Sequence, residues 1–588
     1  MVRHRLLLTF LACAPLPALA QPVQPVQAEI MPLSELKSGQ RGEVWTVFQG
    51  TKPEPFTVEV TGIIQNALGP GKSIILCKLT DPRVQNMGAV AGMSGSPLYI
   101  DGKFAGALSY QIQRFETVRY AGFTPAADMA EVAERVGALP ADPALMEAAP
   151  APDGARSADS AFRAMNPVFA ISGLSPQAAA IMAPQFSTLG IDVVAMGGSS
   201  QGQNQASGAG PAPALKPGDA VSVALSTGDI LLAGTGTVSR VEGSKVVAFG
   251  HPMLSMGDVQ MPMCSAEVVA ILPSTLESVK IANVGPVIGC ISEDRLSAVS
   301  GLLGAGPEMT DVEVVCGRGP APRTIHFQVV RDRRIAPMIM LSGIVEAVFG
   351  SNDAEPGEGF RISTTVTFSP TQQITRDAVY AGQQGFNAGI MEFLIGLNAA
   401  LQNPFEKAVA KRVEFHVDRL ESNPSVTVEQ FQLSRTVVRP GDSLEATLSW
   451  RDYEGAAQTT TIEIPVDPSW IGRTLEIVAA PGRILDELTG HGHYFRPGQI
   501  RSFDAYLDAL KDNRPEDGLC VAVVEKSALF FDQAQPMPDA PASIERIAAA
   551  ADSSRYQRRE ALVPLWETHV LAGKASYASF HKTVRVVE

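Results

Sequence analysis

The stretch Gly92-Met93-Ser94-Gly95-Ser96-Pro97 constrains the fold of this chain more than any other. It is followed by Leu98-Tyr99-Ile100, an Asp101-Gly102 turn and the run Phe104 to Tyr110. Asp-Gly between two apolar-rich runs is the strongest short-range hairpin signal. A Gly-x-Ser-Gly turn exposes a serine hydroxyl and aims the backbone N–H groups of Gly92 and Ser94 at one point, where a tetrahedral oxyanion can sit. Pro97 ends the turn, so the serine leads into a β-hairpin. In an α/β-hydrolase nucleophile elbow a helix follows the serine instead, and the pattern points away from that class. The competing reading of the motif alone is a plain loop of small residues. Ser96 is the alternative nucleophile, but the glycine spacing favours Ser94.

The rest of the chain divides by pattern. Residues 21–30 are a Pro/Gln-rich lead-in, and 31–137 alternate short β-branched runs with glycine turns before a closing helix, as an all-β barrel does. Residues 138–160, rich in Ala, Pro and Asp, read as a linker. Residues 161–370 carry further strands, interrupted at 197–213 by a Gly/Ser/Gln/Ala loop. A helical connector is expected over 371–412. Period-two runs at Val426 to Phe431 and Leu444 to Trp450, separated by Pro440-Gly441, predict a β-sandwich-like domain over 413–468. An α/β accessory region is expected over 469–588, with helices at 503–510 and 543–551 and strands at 520–525 and 582–587.

Composition bounds the function classes. The 588 residues are 45% hydrophobic and 18% charged, enough for several domains. The net charge of −14 argues against nucleic acid or an anionic membrane as main partner. Met1 to Ala20 has a basic start (Arg3, His4, Arg5), an apolar run from Leu6 and Ala18-Leu19-Ala20 before Gln21, the layout of a cleavable secretory signal. A periplasmic or secreted location follows as the expectation. No later segment reaches the roughly 18 apolar residues of a membrane span; the best, residues 388–401, contains Glu392 and Asn398. Beyond Cys13, Cys77, Cys264, Cys290, Cys316 and Cys520 have no Cys-x-x-Cys or metal-ligand spacing, and their odd number leaves at least one thiol unpaired within the chain. His491-Gly492-His493 reads as a polar loop. No metal and no cofactor is expected, and the sequence leaves the oligomeric state open.

Of the eight histidines, only His251 lies between a glycine and a proline at the end of an apolar run, Val246 to Gly250. Histidine is the side chain whose unperturbed pKa suits proton transfer near neutrality. The Ser94 segment, its hairpin, and Ala121-Gly122-Phe123-Thr124-Pro125 with the helix-like run 126–136 are together similar to the C-terminal barrel of chymotrypsin-like serine peptidases. A closer resemblance is to the SpoIVB peptidase family, the sporulation-type serine peptidases. Leu79 to Val84 with Gly88 to Pro97 resembles that family's catalytic segment, Ala233 to Val238 with Val246 to Pro252 its histidine segment, and Ile288 to Gly304 its glycine-containing stretch. In that family the histidine block precedes the serine block behind a PDZ domain. Here the serine comes first, and no PDZ signature is found.

The resemblance implies a mainly β fold with a chymotrypsin-like two-barrel peptidase core and no cofactor. It implies Ser94 as nucleophile, His251 as general base and Asp81 as the carboxylate that orients it, with Asp258 the runner-up. Asp-Pro at 81–82 also reads as a turn that caps its own backbone. Gly92 and Ser94 would supply the oxyanion hole. Ser109-Tyr110-Gln111 would be the strand edge that pairs with an extended protein or peptide substrate, and Gly88 the floor of the side-chain pocket. With no acid at that floor, cleavage after Lys or Arg is not expected. Two alternatives remain: an esterase, and a cell-envelope binding or scaffold protein that keeps the core without the chemistry.

Overall fold

The structure, a computed structural model, describes residues 24, 27–112, 118–137, 162–165, 169–195, 214–274, 278–317, 322–350, 359–401, 409–489, 502–532, 535–537, 541–549 and 556–588. The leader at 1–20, the Ala/Pro-rich linker at 138–160, the loop at 197–213 and His491 with His493 fall outside them. The described chain is mainly β. Six strands near the N-terminus close on themselves: β1 (Arg41–Val47), β2 (Pro53–Gly69), β3 (Lys72–Leu79), β4 (Pro97–Ile100), β5 (Lys103–Ile112) and β6 (Tyr120–Pro125). The hydrogen-bonded path runs β4-β1-β2-β3-β6-β5, and β5 pairs back onto β4. All pairings are antiparallel. Closure removes free sheet edges and leaves an interior filled by Val44, Phe56, Val58, Ile75, Leu108 and Phe123. Burying each such side chain stabilises the ring by about 1.5–3 kcal/mol. The expected Asp101-Gly102 hairpin joins β4 to β5, with both turn residues at positive φ. Helix α1 (Pro82–Met87) leads to the serine turn, and α2 (Ala126–Arg135) closes the ring's end.

A seventh short strand, β7 (Phe162–Ala164), pairs with the outer half of β5. A second closed path then forms. After β8 (Phe169–Ser172) and β9 (Val193–Ala195) come β10 (Ala220–Gly228), β11 (Leu231–Glu242), β12 (Lys245–Ala248), β13 (Gly257–Leu272), β14 (Val279–Arg295) and β15 (Ala298–Leu303). Their order is β10-β13-β14-β15-β12-β11, and β11 pairs back onto β10. These pairings are again all antiparallel.

The sheet carrying the second ring continues beyond it, through strands Met309–Cys316 and Arg323–Val330, to Gly359–Ser369, Gln372–Ala381 and Arg412–Leu420. This changes the expected boundaries. The helix Gly382–Leu401 does lie in the 371–412 connector, but it is flanked by strands of the same sheet. Arg412–Leu420 pairs in parallel with Met309–Cys316 and so belongs with the preceding region. The sandwich is also larger than 413–468. Its three-stranded sheet, from Val426 to Pro465, shares one core with strands from 474 onward through Phe431, Leu448, Ile464, Ile477, Val521 and Val584. Each of those sheets has one apolar face, and the two bury them against each other.

Candidate functional site

The two rings meet at the serine turn. Gly92 and Gly95 have φ of 95° and 93°, a region open to glycine and strained for other residues. At Gly95 the constraint is also spatial. A Cβ there would stand 2.0 Å from Thr237 O and 2.5 Å from Phe249 N, so the backbones of the rings approach as closely as glycine allows. Carbonyls of the turn face across the seam: Ser94 O accepts from Thr237 N at 2.8 Å, Gly92 O from Thr237 Oγ1 at 3.2 Å and Gly95 O from Ser239 Oγ at 2.7 Å. The N–H groups of Gly92 and Ser94 find no acceptor among the described residues. That is the polarity an oxyanion site needs.

The second ring brings His251 to the same seam. Phe249 holds a φ of 69° and Gly250 one of 70° as the chain turns after β12; for a bulky residue such as Phe249 this is a strained conformation. Thr124 Oγ1, on β6 of the first ring, donates to Gly250 O at 2.5 Å and lies 2.8 Å from Ser109 Oγ. His251 Nδ1 is 2.7 Å from the carbonyl oxygen of Pro252. A carbonyl only accepts, so Nδ1 carries the proton and Nε2 presents a lone pair.

Ser94 and His251 are both fully buried, and both reactive atoms, Ser94 Oγ and His251 Nε2, lack a hydrogen-bond partner. Buried polar groups are nearly always paired, so two orphans at one seam require an explanation. They are not bonded to each other. Burial lowers the His251 pKa to about 4, which keeps the imidazole neutral and able to accept a proton near pH 7. A cleft of about 690 Å³ on the first ring, between Arg41, Glu59, Tyr99 and Asp101, has neither residue in its walls.

The structure does not bring Asp81 to the histidine. Its carboxylate caps α1 by accepting from Arg83 N at 2.8 Å and is bound from the other side by the Arg83 guanidinium. That is the self-capping turn that Asp-Pro encodes. Asp258 is engaged by Arg295. The group behind His251 is the Pro252 carbonyl. Ser96 is committed as well, with Oγ donating to Met93 O at 2.6 Å, which leaves Ser94 as the free hydroxyl of the turn. Gly88 ends α1 as its C-cap at a φ of 73°. Ser109, Tyr110 and Gln111 lie in β5, between β6 on one side and β7 on the other.

Two residues at the seam escaped sequence reasoning. Asp294, on β14 and almost fully buried, accepts from Met253 N at 2.6 Å, Leu254 N at 2.8 Å and Met256 N at 3.1 Å. Burial pushes its carboxyl up, while the backbone N–H groups of 253–256 pull it down. It pins the loop that leaves His251. Lys280, also buried, donates from Nζ to Thr46 Oγ1 at 3.0 Å, and its backbone N donates to Ala91 O at 2.9 Å. Burial lowers its pKa to about 7. Asp294 lies in a block of the chain singled out for its glycines, but nothing in the spacing tells which backbone a carboxylate will gather. Among the described residues no group of His, Cys, Asp and Glu is arranged to hold a metal ion.

The fold and seam thus define a mainly β protein with an unpaired serine hydroxyl and a neutral imidazole whose Nε2 is unpaired at one junction. Residues 18–123 match the family model of the SpoIVB peptidase, S55, which supports a SpoIVB-like peptidase of the serine type. The match covers the first ring as far as Phe123, with Ser94 and Asp81, and ends before His251. No curated protein and no solved structure matches the chain.

Proposed function

We propose that this protein is an exported serine endopeptidase whose two strand rings act as a chymotrypsin-like double barrel, with Ser94 as nucleophile and His251 as base. The observation that carries the reading is the pair of buried, unpartnered atoms, Ser94 Oγ and His251 Nε2, on either side of the seam. The family match over residues 18–123 supports it. The leader-like Met1 to Ala20 supports export.

In this mechanism Ser94 Oγ attacks the substrate carbonyl carbon as its proton passes to His251 Nε2. The N–H groups of Gly92 and Ser94 take the charge that develops on the carbonyl oxygen. The imidazolium then protonates the leaving amine, and water repeats the sequence on the acyl-enzyme. The Pro252 carbonyl holds the tautomer in the role usually filled by a carboxylate. It supplies orientation but no negative charge, so the imidazolium is stabilised less. The atoms move into contact only with substrate bound, since catalytic hydrogen bonds are often open in the free enzyme.

Full burial of Ser94 favours a second reading, a binding protein built on a peptidase core. Labelling with a fluorophosphonate probe decides between them. Labelling retained in Ser96→Ala but lost in Ser94→Ala and His251→Ala is the expected result. Folded wild type that never labels, under any condition that opens the seam, supports the binding protein.

A further inference from the structure

The outer side of β5 is occupied in an informative order. β4 pairs with Lys103 to Ala107. Next, Gly95 N donates to Leu108 O at 2.7 Å and Leu108 N to Ser96 O at 3.0 Å, which puts the serine turn at Leu108. One position further, Met165 N donates to Ser109 O at 2.9 Å. Beyond that, Ala164 stands opposite Tyr110, Arg163 opposite Gln111 and Phe162 opposite Ile112. Residues 162–165 therefore lie antiparallel on the edge that an extended substrate would use, and Met165 is the residue next to the nucleophile turn. The Met165 backbone also comes within hydrogen-bonding reach of the His251 ring, which raises the His251 pKa against the larger lowering by burial. The Met165 side chain is 1% exposed and joins the apolar core of the first ring with Val90, Met93, Leu108, Ala121 and Phe123.

We infer that residues 162–165 are an intramolecular occupant of the substrate site, and that the site takes an extended chain carrying a long, unbranched apolar side chain at the residue bound to Ser109 O. The inference rests on the peptidase reading above. Strand addition supplies main-chain hydrogen bonds, and side-chain pockets at alternate residues supply choice. Both parts are filled here by the protein's own chain. This accounts for the full burial of Ser94 and His251: a second polypeptide reaches them only after β7 leaves β5. The enzyme is then masked until the strand is displaced, and Met165 reports the preferred substrate. Its core neighbours Val90, Met93, Leu108, Ala121 and Phe123 are apolar, so an acidic or basic residue in Met165's place would be buried among them, which the site rejects.

The test measures binding and so does not depend on Ser94 chemistry. A fluorescein-labelled peptide of sequence Phe-Arg-Ala-Met is titrated into full-length Ser94→Ala protein with and without Arg163→Pro, which removes a backbone N–H from the β7 ladder. Apparent affinity scales with the fraction of molecules whose edge is free, so binding at least about tenfold tighter in the Arg163→Pro background is expected. Phe-Arg-Ala-Asp is expected not to bind. Equal binding in both backgrounds, no binding in either, or equal binding of both peptides overturns the inference. If Arg163→Pro does not fold, Met165→Asp, which ejects the same strand by its side chain, replaces it under the same criteria. Peptide binding as expected, with Ser94 never labelled by a fluorophosphonate in Arg163→Pro protein, leaves the occupied edge standing and removes the peptidase reading.

Discussion

The seam between the rings and the C-terminal sandwich region both bury charged and polar side chains, and they treat them in opposite ways. Near the sandwich, Arg514 is buried with its guanidinium satisfied: Nη1 donates to Asp486 Oδ1 at 2.6 Å and to Thr489 Oγ1 at 3.1 Å, and Nη2 to Glu567 Oε2 at 2.7 Å. At the seam, Ser94 Oγ and His251 Nε2 have no partner, and the ammonium of Lys280 has one recorded acceptor, Thr46. Saturated networks rigidify a fold, while unsatisfied buried groups lower stability and are retained where chemistry uses them. The contrast separates a polar cluster that is saturated from one that, on the peptidase reading, is kept ready to act.

Four measurements break or sharpen that contrast, in descending size of effect. Ser94→Ala in protein with the edge of β5 freed is expected to lower peptide hydrolysis by on the order of 10⁴-fold or more without lowering the melting temperature, since a buried unpaired hydroxyl is removed. A large loss of stability would mean that the hydroxyl is structural after all. Arg514→Met is expected to do the reverse. It removes the guanidinium that faces the buried Asp486 carboxylate, leaving the backbone N–H of residue 514 on Asp486 Oδ2, and costs about 3–5 kcal/mol, read by denaturant unfolding, with probe labelling of Ser94 unchanged in the folded fraction.

Asp294→Asn tests the loop that leaves His251. Displacing catalytic atoms by about an ångström costs on the order of 10²-fold, so kcat is expected to fall by that factor while KM stays near its wild-type value. A loss confined to KM would move Asp294 out of the positioning role. The smallest effect is electrostatic. Lys280 has its folded pKa lowered to about 7 by burial, against an ordinary value near 10.5. Between those values the unfolded state binds the proton that the folded state refuses, so stability falls as pH drops from about 10.5 to 7. Lys280→Met is expected to flatten that slope and raise stability at pH 8 by more than about 1 kcal/mol. An unchanged slope would place the lysine in water.

Much of the seam was legible in the sequence because its parts are local. The serine turn, the Asp101-Gly102 hairpin and the Gly-His-Pro turn each specify their own backbone within a few residues. The strand at Ser109 to Gln111 was legible for the same reason. Its occupant was not, because β7 lies across the 138–160 segment and its short apolar-basic run carries no signal of where it docks. Asp81 was misplaced by resemblance, although its own neighbours told otherwise: Asp-Pro-Arg has a closer claim on the carboxylate than any distant histidine. The sandwich boundary failed for a reason of topology. Val426–Leu433 and Phe580–Val586 serve one core from opposite ends of a long span, and period-two patterning identifies strands without saying which sheets face each other.

The order of the rings along the chain has a consequence for biosynthesis. All six strands of the first ring precede residue 126, whereas the histidine's ring is not complete until Leu303. Domains fold as units and N-terminal ones first as the chain emerges. The serine's ring is therefore built well ahead of its base, and residues 162–165 emerge between the two. Throughout that interval the hydroxyl has no proton acceptor, and by the time His251 arrives the edge beside it can already be filled. On the peptidase reading, a chain whose second ring is still unfolded is therefore inert at Ser94, because its proposed base is not yet in place.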